Sequence, residues 1–236
     1  MNKYILADMA TERLTREIGM VARPLPEEIK TLEKDLPTGR LRFDSALYQA
    51  EKLKRITIGR RSRGDGGAGT VVMLISDDEY DLPFILADIA FDFVEKGRIS
   101  AGFQLRPLVR DEESTKKYIE PFQKWYEEIS KLPGKPVFLD IGEFLKANPA
   151  PLNYLASLPD DYANEVISLA GQFFDIFVDI YRKAEPVRDA ERRSKMDAFR
   201  SEYNRKILGD DYSGKMLIEA FGRKTAAIFY DYLVYL

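Results

Sequence analysis

Residues 80–91 read YDLPFILADIAF, an apolar run with Asp88 in its middle. A short apolar run next to turn residues is typical of a buried β-strand. Successive side chains of a strand point to opposite faces of its sheet. One face would then be wholly apolar, with Ile85, Ala87, Ile89, Phe91 and Phe93, and the other mixed, with Phe84, Leu86, Asp88, Ala90 and Asp92. The run therefore predicts a sheet with one core face and one face that carries a carboxylate.

The next apolar run, RISAGFQLRPL at residues 98–108, is predicted to pair with this strand. A three-residue loop, EKG, with Gly97 in the left-handed conformation would pair residue 88 with 104, 90 with 102 and 92 with 100. Small residues, large apolar ones and a single acid then share the mixed face, as on the floor of a pocket for a flat ligand. The predicted ligand-contacting residues of these strands are Phe84, Leu86, Ser100, Gln104 and Arg106. The alternative is a hydrated surface on which Asp88 has no special role.

The order of the elements predicts the fold class. Strand patterns occupy residues 39–108, and amphipathic helical patterns dominate residues 109–236. Residues 1–38 look helical and charged and are interpreted as an N-terminal helical layer. There are too many apolar-striped helices for one face of a sheet, so we expect an α+β fold with an antiparallel sheet covered on both faces, in one domain spanning residues 1–236.

The composition excludes several classes of site. The chain has no cysteine and no histidine, so disulfides, thiolate nucleophiles, Ser-His-Asp catalysis and most transition-metal sites are excluded, and no metal site is predicted. Carboxylates, tyrosines, lysines and arginines remain for proton chemistry. A net charge of -3 disfavours indiscriminate binding to nucleic acid or anionic membranes. Without a signal-like or membrane-spanning apolar run, we expect a cytoplasmic protein with no membrane partner.

The glycine-rich loop RGDGGAG, residues 63–69, allows a phosphate cradle as one interpretation. No Gly-Lys-Ser/Thr follows it, and the next element is a strand and not a helix. A mobile hairpin tip is the better interpretation.

The middle of the sequence and its tail carry a resemblance to a known family. The stretches YDLPFILADIAF and GRISAGFQLRPL, together with the tail DDYSGKMLIEAFGRKTAAIFYDYLVYL at residues 210–236, resemble the ferredoxin-dependent bilin reductases. The family's tail pattern is matched by Asp211, Ser213, Leu217, Phe221, Gly222 and Tyr230. The similarity covers residues 40–236 in order and spacing. It implies a three-layer α/β/α sandwich that holds an open-chain tetrapyrrole between the sheet and the C-terminal helices.

The resemblance also implies a reaction. Members take electrons one at a time from ferredoxin, or from a similar acidic carrier, and hold no metal or flavin, while aspartates of the protein supply protons. Carried over to this sequence, the catalytic residues would be Asp88 and Asp210, and Asp211 would contact the substrate. Asp210, Asp211 and Ser213 also suit a helix start, so capping is the alternative role for this group.

This chain departs from the family pattern at informative positions. Some members have a histidine on the preceding strand, near Val71 or Val72 here, and the family's aspartate before the Pro-Leu pair is Gln104. The missing histidine leaves open a non-catalytic carrier or sensor of tetrapyrroles. A different linear tetrapyrrole, or a chlorophyll breakdown product, is also open as the substrate.

Residues 52–63 form the most basic region, with Lys52, Lys54, Arg55, Arg60, Arg61 and Arg63. Lys54, Arg60 and Arg61 are predicted to dock the acidic electron carrier, because arginine binds carboxylates well. The alternatives are binding of the substrate's propionates by this region, a solvated strand without a function, and a nucleic-acid contact, which the net negative charge disfavours.

Overall fold

The computed structural model describes residues 2–36 and 39–236. The strands are β1 (Val21–Arg23), β2 (Thr31–Leu36), β3 (Gly39–Ala50), β4 (Leu53–Arg63), β5 (Ala68–Ser76), β6 (Phe84–Phe91), β7 (Arg98–Arg106), β8 (Lys135–Pro136) and β9 (Leu152–Pro159). The α-helices are α1 (Ile5–Ile18), α2 (Glu27–Lys30), α3 (Glu112–Ser114), α4 (Gln123–Ile129), α5 (Glu143–Ala147), α6 (Ala163–Lys183), α7 (Ala190–Asp210), α8 (Tyr212–Phe221) and α9 (Arg223–Leu233).

The strands form one antiparallel sheet, as predicted. Its order is β1-β3-β4-β5-β6-β7-β9-β8, and β2 also pairs with β3. The strand with Asp88, β6, lies inside the sheet between β5 and β7. The glycine-rich loop joins β4 to β5 as a hairpin. Strand β9 comes from the mainly helical part of the sequence and was not predicted.

Helices cover both faces of the sheet, which confirms the predicted three-layer arrangement. The apolar face of β6 packs in one core with α1, α4 and α6, and Ile85, Ala87 and Ile89 are fully buried there. The mixed face packs against α5, α7, α8 and α9 around Phe84 and Tyr203. In the described part of the chain, no helix is both long enough and hydrophobic enough to span a lipid bilayer.

The predicted register between β6 and β7 is wrong by two residues. Asp88 pairs with Gly102, and Gln104 pairs with Leu86. The reason is a longer loop at residues 92–97, in which Asp92 adopts a left-handed φ of 54° and accepts a hydrogen bond from the Gly97 amide at 2.8 Å. Gly97 is left-handed as predicted, with φ 68°. A shift of two residues keeps the side chains of β6 and β7 on their predicted faces. Phe93, predicted on the apolar face, instead lies in the loop and packs against Arg61.

The N-terminal segment is only partly the helical layer that was predicted. Helix α1 ends at Gly19, whose left-handed φ of 66° stops it. Beyond it only the short helix α2 forms, directly after Pro26, and β1 and β2 add to the outer edge of β3. Residues 1, 37 and 38 of the predicted layer lie outside the described residues.

Residues 113–132, ESTKKYIEPFQKWYEEISKL, follow the predicted amphipathic helical pattern but do not form one continuous helix. They form α3, a π-helical turn at Thr115–Ile119, a 3-10 turn at Glu120–Phe122 and α4. Pro121 has no N–H to donate, which explains the change of hydrogen-bond pattern at this point. Helix α4 nevertheless buries Trp125, whose indole N–H donates to the Leu169 carbonyl of α6 at 2.7 Å.

Candidate functional site

Asp88 lies in the middle of β6 on the mixed face. Directly beside it are Val71 of β5 and Gly102 of β7. One strand further out in the same row are Gly59 of β4 and Leu155 of β9. The carboxylate therefore stands among neighbours that are small or apolar.

Gly102 has no side chain and therefore leaves space on the mixed face of the sheet beside Asp88. A Cβ atom at this position would lie 3.1 Å from Cδ1 of Leu155 and 3.6 Å from Cβ of Asp88. The Leu155 side chain thus leans over the glycine toward the acid. Any larger residue at position 102 would fill the space between the two side chains.

Asp88 forms an ion pair with Arg61 of β4. The distance from Nη2 of Arg61 to Oδ1 of Asp88 is 2.7 Å, and the two side chains are only 18% and 20% exposed. Burial raises the pKa of Asp88, and the positive charge and hydrogen bond of Arg61 oppose that rise. Such a carboxyl group can hold a proton at a higher pH than an exposed one.

An aromatic ring supports the Arg61 side chain. Its guanidinium carbon lies 4.6 Å from the centre of the Phe93 ring, and that of Arg63 lies 5.2 Å from the same ring. Cation–π contacts of this kind favour a fixed guanidinium position. Phe93 belongs to the 92–97 loop, so the longer hairpin loop contributes to the site.

Arg106 and Phe84 face each other at the other end of β6 and β7. Both are buried, and Arg106 donates a hydrogen bond from Nη1 to the Asn148 carbonyl. Burial lowers the pKa of Arg106. Among the described residues no carboxylate forms an ion pair with it, so its charge is free to meet an anionic group of a ligand.

The other predicted contacts of β6 and β7 occupy the same face. Leu86 and Gln104 form a pair and are half-buried, and Ser100 pairs with Ala90 and is buried. The Ser100 hydroxyl donates to the Ala90 carbonyl at 3.3 Å. Leu86 and Gln104 are therefore more accessible to a ligand than Ser100 is.

Asp210 ends α7 and is bound to α5. The amide of Leu145 donates to its Oδ2 at 2.7 Å, and the amide of Phe144 to its Oδ1 at 3.2 Å. The Gly142 amide donates to the Asp210 carbonyl at 2.7 Å. In this position the Asp210 side chain caps the N-terminus of α5.

Asp211 is held by the C-terminal helix. The hydroxyl of Tyr230 donates to its Oδ2 at 2.6 Å. Burial raises the pKa of Asp211, and the hydrogen bond from Tyr230 opposes that rise. Within the described residues, neither Asp210 nor Asp211 shares a hydrogen bond or ion pair with Asp88.

Of the three residues predicted to dock an electron carrier, two pair with exposed acids and the third pairs with Asp88. Lys54 pairs with Asp78 at 2.6 Å, and Arg60 with Asp8 at 3.0 Å. Arg61 instead points into the mixed face, where its guanidinium binds Asp88. Arg61 thus belongs to the candidate site and does not lie with Lys54 and Arg60.

Three further site residues were missed by the sequence analysis. Leu155 lies on β9, a strand that was not predicted, and Phe93 lies in the misjudged loop. Tyr230 matched the family's tail pattern but received no role. The alternation of β9, with Tyr154, Ala156 and Leu158 buried, is the signal that could have placed Leu155 on the mixed face.

Comparisons with known proteins agree with this architecture. The family model described as ferredoxin-dependent bilin reductase matches residues 7–234. Among solved structures, the crystal structure of selenomethionine phytochromobilin synthase from tomato in complex with biliverdin matches with a TM-score of 0.75 and 15% sequence identity, covering 94% of this chain and 78% of that chain. At this identity the likeness shows the fold alone. No curated protein matches the chain.

Proposed function

The chain belongs to the ferredoxin-dependent bilin reductase family, and from this premise we propose that it reduces a linear tetrapyrrole with electrons from reduced ferredoxin while Asp88 supplies protons. The observation that carries the proposal is the position of Asp88, a half-buried carboxyl group on a low floor in the middle of the mixed face. A flat conjugated ligand on that floor would lie against the acid.

The reaction needs two electrons and two protons for each double bond reduced. Each electron leaves one molecule of reduced ferredoxin, which is oxidised, and enters the conjugated ligand. A proton then moves from a carboxyl group to the ligand and leaves a carboxylate behind, which takes its next proton from solvent. This chemistry requires an acid that is protonated near neutral pH, a condition that burial of Asp88 favours.

The rest of the mixed face supplies binding groups. Leu86 and Phe84 offer apolar contact, and Gln104 and Ser100 offer polar groups on β7. Arg106 would bind a carboxylate of the ligand, because its charge is buried without an acidic partner among the described residues. Asp211 is proposed as a further contact from the C-terminal helices.

Asp210 is the weaker candidate for a second proton donor. Its two carboxylate oxygens accept hydrogen bonds from α5, and it would have to release them before it could donate a proton to a ligand.

Docking of the acidic ferredoxin through Lys54 and Arg60 is also proposed, because both side chains lie in the basic region and pair only with half-exposed or exposed acids.

The test is an anaerobic titration of the purified protein with biliverdin, followed by reduced ferredoxin. We expect the biliverdin absorbance to shift on binding and then to convert to that of a reduced product. Free biliverdin with ferredoxin is the control. A bound spectrum that stays unchanged on addition of reduced ferredoxin would contradict the enzyme.

A bound spectrum that stays unchanged on addition of reduced ferredoxin is the outcome expected for a non-catalytic carrier. One observation favours this alternative: Val71, directly beside Asp88, stands near the position where some family members have a histidine. Strand β5 therefore presents no second titratable group to Asp88. Tight binding without turnover would assign the chain as a tetrapyrrole carrier or sensor.

A further inference from the structure

The ion pair between Arg61 and Asp88 is incomplete on both sides. A single nitrogen of Arg61 contacts a single oxygen of Asp88, at 2.7 Å. Nε of Arg61 is buried and has no hydrogen-bond partner among the described residues. A buried N–H without a partner is costly, so this guanidinium can gain free energy from a second carboxylate.

Arg61 is the charged side chain that controls Asp88. The neighbouring strands β5, β7 and β9 present Val71, Gly102 and Leu155 to it, and none of these is charged. Among the described residues of α5, α7, α8 and α9, no charged or titratable side chain forms a hydrogen bond or ion pair with Asp88. Any change in the position of Arg61 therefore changes the electrostatic environment of Asp88 directly.

We propose that Arg61 is a positioning residue that responds to the substrate: a carboxylate of the linear tetrapyrrole binds the Arg61 guanidinium, and Asp88 takes up a proton from solvent as it loses its partner. The inference rests on the proposed function. The ligand would convert Asp88 from an ion-paired carboxylate into a neutral acid at the moment an acid is needed.

The sign of the effect follows from two contributions. The ligand covers Asp88 and so increases its burial, and the loss of Arg61 removes the charge that favours the carboxylate. Both raise the pKa of Asp88, so binding takes up a proton from solvent. After transfer of that proton to the reduced ligand, the carboxylate can pair with Arg61 again once the product leaves.

The experiment measures proton uptake on binding, without turnover. Isothermal titration calorimetry of the wild-type protein with biliverdin, in buffers of different ionisation enthalpy, gives the number of protons taken up. Biliverdin dimethyl ester has no free propionate and is the matched ligand. We expect more uptake with biliverdin than with the ester, because both ligands cover Asp88 but the ester cannot draw Arg61 away from it.

Two variants test the residue assignment at the pH where wild-type uptake is largest. In Arg61→Gln, Asp88 has lost its partner before the ligand arrives, so we expect uptake to be lost. Arg63→Gln is the matched control, because Arg63 contacts the same Phe93 ring but pairs with Asp65, and it should keep wild-type uptake.

The outcomes separate the inference from the proposed function. Biliverdin binding with equal uptake for acid and ester, or with unchanged uptake in Arg61→Gln, would overturn the role of Arg61 and leave the proposed function standing. Failure of biliverdin to bind the wild-type protein would overturn both. The ester comparison uses wild-type protein, so it decides the question even if Arg61→Gln does not fold.

Discussion

Nη2 of Arg61 lies 2.7 Å from Oδ1 of Asp88, across the two strand spacings that separate β4 from β6. On the intervening strand β5, Val71 lies beside Asp88 and Gly69 lies beside Arg61, and the Phe93 ring packs against the guanidinium. The central acid of the mixed face is thus oriented by a side chain from another strand and by an aromatic ring from a loop. The chemistry of Asp88 therefore depends on β4, β6 and the 92–97 loop.

Asp88→Asn should keep ligand binding and lose turnover. The amide has nearly the same shape as the carboxyl group but cannot act as a proton donor of comparable strength. General acids contribute about 10²- to 10⁴-fold to a rate, so we expect turnover with biliverdin and reduced ferredoxin to fall by about that factor. Dissociation constants from absorbance titrations should change little. Equal turnover in the variant and the wild type would exclude Asp88 as the donor.

The stability of the same variant should depend on pH in a defined direction. Burial raises the pKa of Asp88 in the folded protein, so between the unfolded value of about 4 and the raised folded value the folded state binds more protons than the unfolded state. Wild-type stability then falls as pH rises through that window, and Asp88→Asn does not titrate.

Urea unfolding at a series of pH values tests this expectation. The free energy of unfolding of Asp88→Asn minus that of the wild type should increase as pH rises from about 4 towards neutral. A difference that decreases would mean that the attraction of Arg61 exceeds the effect of burial.

Gly102→Val should reduce ligand affinity. The new side chain would fill the low floor between Leu155 and Asp88. Because the ligand would have to move away from this part of the sheet, we expect at least about a fivefold loss of affinity for biliverdin, which corresponds to about 1 kcal/mol. Gly102→Ala is the graded control, because Leu155 can move by a few tenths of an ångström, and it should bind nearly as well as the wild type. Equal affinity in all three proteins would place the ligand elsewhere.

Arg106→Gln should also weaken binding, for an electrostatic reason. A charge-assisted hydrogen bond to a carboxylate contributes about 1.5–3 kcal/mol, so we expect about a tenfold or greater loss of affinity for biliverdin and a smaller loss for its dimethyl ester. Arg110→Gln is the matched control, since Arg110 also donates to a loop carbonyl, that of Pro149 at 2.9 Å, but is exposed. Loss of the same size for the acid and the ester would contradict a propionate contact.

The sequence allowed the faces of the sheet to be predicted more safely than its register. The alternation of Ile85, Ala87 and Ile89 assigns the core face of β6 whatever the length of the next loop. An error of two residues in the register with β7 also leaves the faces of β7 unchanged. The register depended on the loop, and the left-handed conformation of Asp92 is set by contacts with Gly97 and Lys3. Lys3 lies 89 residues away, so no local pattern could show it.

The site was also predictable only in part, because contacts between residues far apart in the sequence position several of its side chains. Asp88 stands out because it interrupts an apolar run, and the family resemblance gave it a role. The alternation of Ile56 and Ile58 separates Arg60 from Arg61, but nothing in the local sequence separates Arg61 from Arg63, which lies on the same face, because only the twist and pairing of β4 decide which of them reaches Asp88. The partner helix of Asp210 is five residues long and begins 67 residues earlier, so the cap became visible only in three dimensions.

Asp210 offers a last test, because its capping and proton-donating roles respond differently to two substitutions. Asparagine has one acceptor oxygen and can keep the 2.7 Å hydrogen bond from the Leu145 amide, whereas alanine keeps neither bond, and loss of a cap costs about 1 kcal/mol. We therefore expect Asp210→Ala to be less stable in urea than the wild type by about 1 kcal/mol, and Asp210→Asn to lose less stability than Asp210→Ala. Because the carboxylate is already bound to the amides of Phe144 and Leu145, turnover in Asp210→Asn should fall less than in Asp88→Asn. If a folded Asp210→Asn loses as much turnover as Asp88→Asn, then Asp210 must leave α5 during the reaction and act as an essential donor.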